Sequence, residues 1–271
     1  MTFINQLQTI WKKNNSLVCV GLDTDRKKMP QHLASQAQPI LAFNQAIIDA
    51  TADLVCAYKP QIAYYSAQSA ETELKETIQY IHRNYPDIPV ILDAKRGDIG
   101  STAEMYAQEV FERYQADAVT VNPYLGGDTL KPFLNHKEKG VILLCRTSNP
   151  GAHDIQNLIV DGVPLYQIVA RRAAEDWNEH HNLLLVVGAT YPRELGEIRA
   201  IIGDMPLLVP GIGAQGGDIE QAVTNGQDSK GQGMIINSSR GIIYAGSGDD
   251  FADLARQEAL DLRDKINQFR K

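Results

Sequence analysis

Cysteine is scarce in this chain, three among 271 residues, and so is tryptophan, with two. Cys19, Cys56 and Cys145 sit inside apolar runs, with no spacing that pairs them. An odd, unpatterned set argues against a disulfide framework and predicts buried, reduced thiols in a cytoplasmic protein. A catalytic cysteine stays open, although no histidine neighbours these positions in a recognisable pattern. Basic residues are outnumbered, 26 Lys and Arg against 33 Asp and Glu, for a net charge of −7. Without a basic block, no nucleic-acid partner is expected. No apolar run approaches the roughly 18 residues needed to span a bilayer, so no membrane partner is expected. The start, Met1-Thr2-Phe3-Ile4-Asn5-Gln6-Leu7, lacks the charged opening and long apolar stretch of a signal peptide. HExxH and paired CxxC motifs are missing. His180 and His181 are adjacent and would not face one way on a helix or strand, so no bound metal is expected.

What is present is a soluble-protein composition, 44% hydrophobic and 22% charged. Eight short apolar runs punctuate it: Leu17–Leu22, Leu54–Tyr58, Val90–Leu92, Ala118–Val121, Val141–Cys145, Leu183–Val187, Leu207–Val209 and Met234–Ile236. They are continuous rather than alternating, as in parallel strands buried on both faces. The stretches between them are long enough for helices. Over 101–114, Tyr106, Ala107, Val110, Phe111 and Tyr114 recur at helical spacing, and Ser101-x-x-Glu104 reads as a capping box. Over 249–269, Phe251, Leu254, Leu262, Ile266 and Phe269 share a face, with Asp249 and Asp250 suited to the start of the dipole. This pattern predicts a single-domain (β/α)8 TIM barrel, with a doubly wound open sheet as the alternative.

In such a barrel, function collects at the carboxyl ends of the strands. Polar residues do follow the runs: Asp23, Lys59, Asp93 with Lys95, Asn122, Arg146-Thr147-Ser148, Pro210 and Asn237 to Arg240. The densest is Asp93-Ala94-Lys95-Arg96-Gly97-Asp98, where two carboxylates flank an ammonium. Buried charges are costly unless paired, so three together imply a use. Two apart at the end of a strand, Asp93 and Lys95 would point the same way. Lys59 reads as a Schiff-base lysine, an ion-pair partner or a surface charge, and Asp23 is equally open. The glycine-rich Pro210-Gly211-Ile212-Gly213-Ala214-Gln215-Gly216-Gly217 follows the seventh run. It reads as a dinucleotide loop, a plain turn or a cradle for a single phosphate. The last fits the seventh and eighth loops of a barrel best. Arg240, in Ser238-Ser239-Arg240-Gly241, offers a fork of donors suited to phosphate or a surface ion pair.

These residues resemble the orotidine 5′-phosphate decarboxylase family. The motif Asp93-x-Lys95-x-x-Asp98-Ile99 is joined in order by Gly21-Leu22-Asp23, Lys59, the 210–217 loop and Ser239-Arg240-Gly241, so the resemblance spans nearly the whole chain. The Arg146-Thr147-Ser148-Asn149-Pro150-Gly151 segment is similar to the bacterial type 2 subgroup. Departures from the shorter forms lie around Ser148, in the extra segment before the sixth run, and at Tyr244. The resemblance implies a cofactor-free homodimer that decarboxylates orotidine 5′-phosphate to UMP. It implies a charge network of Lys59, Asp93, Lys95 and Asp98, with Asp98 and Thr102 completing the neighbouring subunit's site. Asp23 and Lys59 would bind the ribose, Ser148 the pyrimidine, and Pro210, Gln215, Gly216 and Arg240 the phosphate. A related sugar-phosphate decarboxylase or lyase, or a non-catalytic nucleotide-phosphate-binding barrel, would share much of this pattern.

Overall fold

The computed structural model describes residues 1–212 and 218–271. All eight apolar runs become strands: β1 (Val18–Leu22), β2 (Ala57–Pro60), β3 (Ile91–Arg96), β4 (Ala118–Val121), β5 (Gly140–Arg146), β6 (Leu183–Val187), β7 (Leu207–Pro210) and β8 (Met234–Ser238). β1 and β6 are buried along their whole length, which is why neither shows an alternating polar face. Every pairing between these strands is parallel, in the order β2-β1-β8-β7-β6-β5-β4-β3. Parallel bridges Tyr58–Val90 and Gln61–Asp93 join β2 to β3 and close the ring. The sheet is therefore the expected barrel and not the open alternative.

Helix α1 (Phe3–Lys13) precedes β1 and covers the amino ends of the strands. Thr2 caps it by accepting from the Asn5 N–H. Its buried side chains are Phe3, Leu7, Ile10 and Trp11, each worth about 1.5–3 kcal/mol when fully removed from water. Gly140, at the start of β5, has no side chain because Phe3 occupies that space. With this end plugged, the carboxyl ends remain the open face.

The α-helices after β1 are α2 (Pro39–Thr51), α3 (Ile62–Ser66), α4 (Glu71–Asn84), α5 (Gly100–Gln108), α6 (Lys131–Leu134), α7 (Leu165–Glu175), α8 (Pro192–Ile202), α9 (Ile219–Gly226) and, beyond β8, α10 (Arg240–Ile243) and α11 (Phe251–Gln268). Two sequence expectations need correction here. The Ser101–Glu104 capping box does not form. Helix α5 starts two residues earlier than a Ser101 cap would place it, at Gly100, whose φ of +51° turns the chain, and its cap is Ile99 with no side-chain bond. In α11 the inward stripe is Phe251, Ala255, Ala259 and Ile266, while Leu254 is exposed. Small alanines let this helix lie close, and their weak apolar signal hides that face in the sequence. The apolar face expected over 101–114 is kept, with Ala107, Val110, Phe111 and Tyr114 buried, while α5 runs into a π-turn, Glu109–Arg113. That turn brings the Glu109 carboxylate onto Arg96, with bonds of 3.0 and 3.1 Å, pinning the far end of β3.

The extra segment before β6 is a 3-10 turn (Pro150–Asp154) and a small antiparallel hairpin pairing Ile159–Val160 with Val163–Pro164. The three cysteines are buried and unpaired. Burial pushes the Cys19 and Cys145 thiols up to about 12. No helix among the described residues is long and apolar enough to cross a membrane.

Candidate active site

Asp93 is the hub. Its Oδ2 lies 3.1 Å from Lys59 Nζ and its Oδ1 lies 2.7 Å from Lys95 Nζ. Lys59 Nζ is also 3.9 Å from Asp23 Oδ1. Lys59 is 4% exposed and Asp93 7%, so both charges have left water and survive by pairing.

Lys95 reaches Asp93 by a route that strand alternation does not describe. Leu92 faces Val119 and Arg96 faces Val121, so residues 93–95 of β3 stand opposite Thr120 alone. The strand bulges, and Lys95 takes a left-handed φ of +47°. Such a conformation is costly for a residue with a Cβ and persists only where neighbours enforce it. Thr120 is that neighbour. Its hydroxyl accepts from the N–H groups of Ala94 (3.0 Å) and Lys95 (2.9 Å) and donates to Asp93 Oδ1 (2.8 Å).

Burial opposes ionisation of Asp93, but the Lys59 and Lys95 ammonium groups hold its carboxyl well below the usual carboxylate range. Burial likewise opposes the charge on Lys59, and Asp93 and Asp23 raise it above the usual lysine value. The depressed Asp93 contributes stability that is complete above its unfolded value near 3.9 and is lost as pH falls through the lower folded value. The raised Lys59 contributes stability that is complete below its unfolded value near 10.4 and is lost as pH rises through the folded one. Urea unfolding should therefore show an acid limb due to Asp93 below about pH 4, and Asp93→Asn should flatten it. An acid limb of unchanged steepness in that variant would disprove the assignment.

Asp23 opens the turn after β1, and its Oδ1 is buried without a hydrogen-bond partner among the described residues. The turn is held from behind. The Tyr65 hydroxyl donates to the Leu22 carbonyl (3.0 Å), and Thr24 donates to Asn44 (2.6 Å). The Tyr244 hydroxyl accepts from the Asp25 N–H (2.7 Å) and donates to the Asp23 carbonyl (3.2 Å). Tyr244 is thus committed to the β1 turn. Asn237 Oδ1, at the end of β8, is a second buried acceptor without a partner. Gly21 lets these ends meet, because a Cβ there would collide with Ser239 Oγ.

Lys59, Asp93, Lys95, Ser148 and Pro210 line one cavity of about 970 Å³ at the carboxyl ends of the strands. Thr120, Asn122, Asn149 and, from the extra segment, Ile155 and Gln156 also form part of its wall. Asp23 adjoins the cavity through Lys59 and does not line it. Arg240 opens α10, is exposed, and makes no side-chain bond among the described residues. Asp98 and Thr102 do not reach this cavity. Asp98 accepts from the Ile99 N–H (2.8 Å) and meets no cation among the described residues, and Thr102 is exposed. Gln215 and Gly216 lie outside the described residues. Sequence reading missed Thr120, whose signal was a lone hydroxyl next to last in the run Ala118–Val121. It also missed Gly188, where a Cβ would lie 2.8 Å from Ser148 Cβ.

Asp93 stands between a buried Lys59 and a half-exposed Lys95 at the barrel mouth, and comparison with known proteins shows the family of the chain. The model of the orotidine 5′-phosphate decarboxylase / HUMPS family matches residues 16–253. The chain is 61% identical over 272 residues to an orotidine 5′-phosphate decarboxylase of Cellvibrio japonicus, covering 100% of both chains. A namesake from Ralstonia pickettii is 60% identical over 270 residues, again covering 100% of both. Among solved structures, the OMP decarboxylase of Leishmania donovani superposes with a TM-score of 0.86 at 38% identity, covering 99% of this chain and 98% of that one. Matched across its length by sequence and by structure, the chain belongs to the orotidine 5′-phosphate decarboxylase family.

Proposed function

We propose that the Lys59–Asp93–Lys95 network is the catalytic centre with which this chain decarboxylates orotidine 5′-phosphate to UMP, in pyrimidine nucleotide synthesis. Breaking the bond to CO2 leaves an electron pair on C6 of the pyrimidine. A fixed ammonium beside that carbon stabilises the developing negative charge, then supplies the proton that replaces CO2. Lys95 is that ammonium. The 2.7 Å contact with Asp93 on the cavity wall carries this assignment, because it aims a charged donor at the substrate. Lys59, locked behind Asp93, keeps the aspartate ionised and so keeps Lys95 oriented.

Asp23, with its unpartnered Oδ1, and Lys59 take the ribose hydroxyls. Ser148 binds the pyrimidine from the opposite side of the cavity. Pro210, Gln215, Gly216 and Arg240 bind the phosphate, a role that the donor-rich, exposed Arg240 suits. No cofactor takes part. The working unit is a homodimer in which Asp98 and Thr102 of one copy complete the site of the other. Asp98 meets no cation of its own chain among the described residues, and the apolar Ile99 (62% exposed), next to it in sequence, and Met105 (62%), on the helix that follows, are uncovered. The three unpaired thiols suit a reducing, cytoplasmic setting.

The test follows loss of orotidine monophosphate absorbance with purified protein, with and without EDTA. Turnover that is indifferent to EDTA is the expected result. Turnover of a sugar phosphate with EDTA sensitivity would favour the related lyase, and tight UMP binding without turnover would favour a non-catalytic barrel.

A further inference from the structure

One side chain from the extra segment grips the chain next to Ser148. Gln156 Oε1 accepts from the Thr147 N–H at 2.8 Å, and its Nε2 donates to Thr147 Oγ1 at 2.9 Å. That hydroxyl donates onward to Asn149 Oδ1 at 2.7 Å. The residues on either side of Ser148 are thus tied, directly or through one hydroxyl, to a single amide. Below them lies Arg146, wholly buried, whose Nη1 donates to the Thr147 carbonyl at 2.9 Å and approaches Gln156 Oε1 at 3.5 Å. No carboxylate pairs with Arg146 among the described residues, and its Nε and Nη2 have no hydrogen-bond partner. Its flat face is covered by Tyr191, with the ring centroid 3.8 Å away. Tyr191 in turn meets His153 of the extra segment, its hydroxyl 3.2 Å from Nε2. From the far side, Gly188 allows the backbone to approach Ser148 more closely than any side chain would permit.

A buried cation without a counter-charge is expensive, and a core leucine would pack there at lower cost. Arg146 is explained if the chain needs its planar donors at this one spot. We infer that Gln156, anchored on Arg146, is a positioning residue that holds Ser148 in place to read the pyrimidine ring. The extra segment is then part of base recognition, and it sets how strongly the site prefers a nucleotide over its bare sugar phosphate. This rests on the assignment of Ser148 to the pyrimidine.

The experiment compares UMP with ribose 5-phosphate, a probe that carries the same sugar and phosphate and no base. Gln156→Ala should weaken UMP binding about tenfold and shift ribose 5-phosphate by no more than about twofold, because the lost bonds orient only the base contact. In turnover, the same variant should raise KM far more than it lowers kcat. In a Ser148→Ala background the Gln156→Ala step should have no further effect on UMP, since a positioning residue has nothing left to position. Gln156→Glu keeps the acceptor for the Thr147 N–H and adds a charge beside Arg146, so UMP binding should stay within about threefold of wild type. If Gln156→Ala does not fold, Gln156→Leu, which keeps the bulk and loses both hydrogen bonds, carries the same cycle, and ribose 5-phosphate binding reports an intact site. Equal losses for UMP and ribose 5-phosphate, or full additivity with Ser148→Ala, would overturn the inference while leaving Ser148 on the base. No loss of UMP binding in Ser148→Ala alone would remove Ser148 from the pyrimidine, and the inference with it.

Discussion

Lys95→Ala should lower kcat by about 10⁴-fold or more, with UMP still bound. The magnitude follows from the two tasks assigned to one ammonium. Proton delivery by a placed acid is worth about 10²–10⁴, and electrostatic stabilisation of a developing anion about 10²–10³. The two act through one atom and do not simply multiply, so the lower part of the combined range is the firm expectation. The scaffold should survive the change. Asp93 keeps Lys59 at 3.1 Å and Thr120 at 2.8 Å, and alanine inherits a left-handed backbone that Thr120 already enforces. Lys95 is also the more accessible member, with 47% of its side chain exposed, so its loss uncovers no large buried charge. Lys95→Arg should not restore activity, because a planar guanidinium that stays protonated is a poor proton donor and a different shape. Residual turnover within about tenfold of wild type would show that another group protonates C6.

The barrel was legible because burial on both faces removes polar residues from a strand, and eight such runs stand out against amphipathic helices. What was not legible depended on irregular backbone or on partners far along the chain. Asp93 and Lys95 were expected on one side because they are two apart on a strand. They do meet, but through a bulge and a positive φ at Lys95 that no pattern announces. Thr120 makes that bulge possible, and a threonine in a strand is too ordinary to single out. The capping box at Ser101 failed for a related reason: Gly100 turned the chain first. Gln156 lies in a segment without periodicity. Its importance comes from bonds to Thr147, nine residues away, that only the folded chain displays. Asp98 shows the opposite case. The motif marks it plainly, and the fold places it beyond its own cavity.

That separation leads to the second large effect. Lys95→Ala and Asp98→Ala proteins should each be nearly inactive, and mixing them should restore activity. If each site takes Lys95 from one copy and Asp98 from the other, a heterodimer of the two variants holds one site with both defects and one with neither. After free exchange in an equal mixture, half of the dimers are mixed, so about a quarter of all sites regain wild-type composition. Activity should rise from the background of either parent to about a quarter of the wild-type rate. The recovered sites should show wild-type KM, because every residue touching substrate in them is native. Exchange is checked by giving the two variants different masses and weighing the intact dimers. Verified mixed dimers that stay inactive would return Asp98 to its own subunit or to a purely structural role. That result would leave Lys95 and Asp93 as the catalytic pair, since their contact lies within one chain.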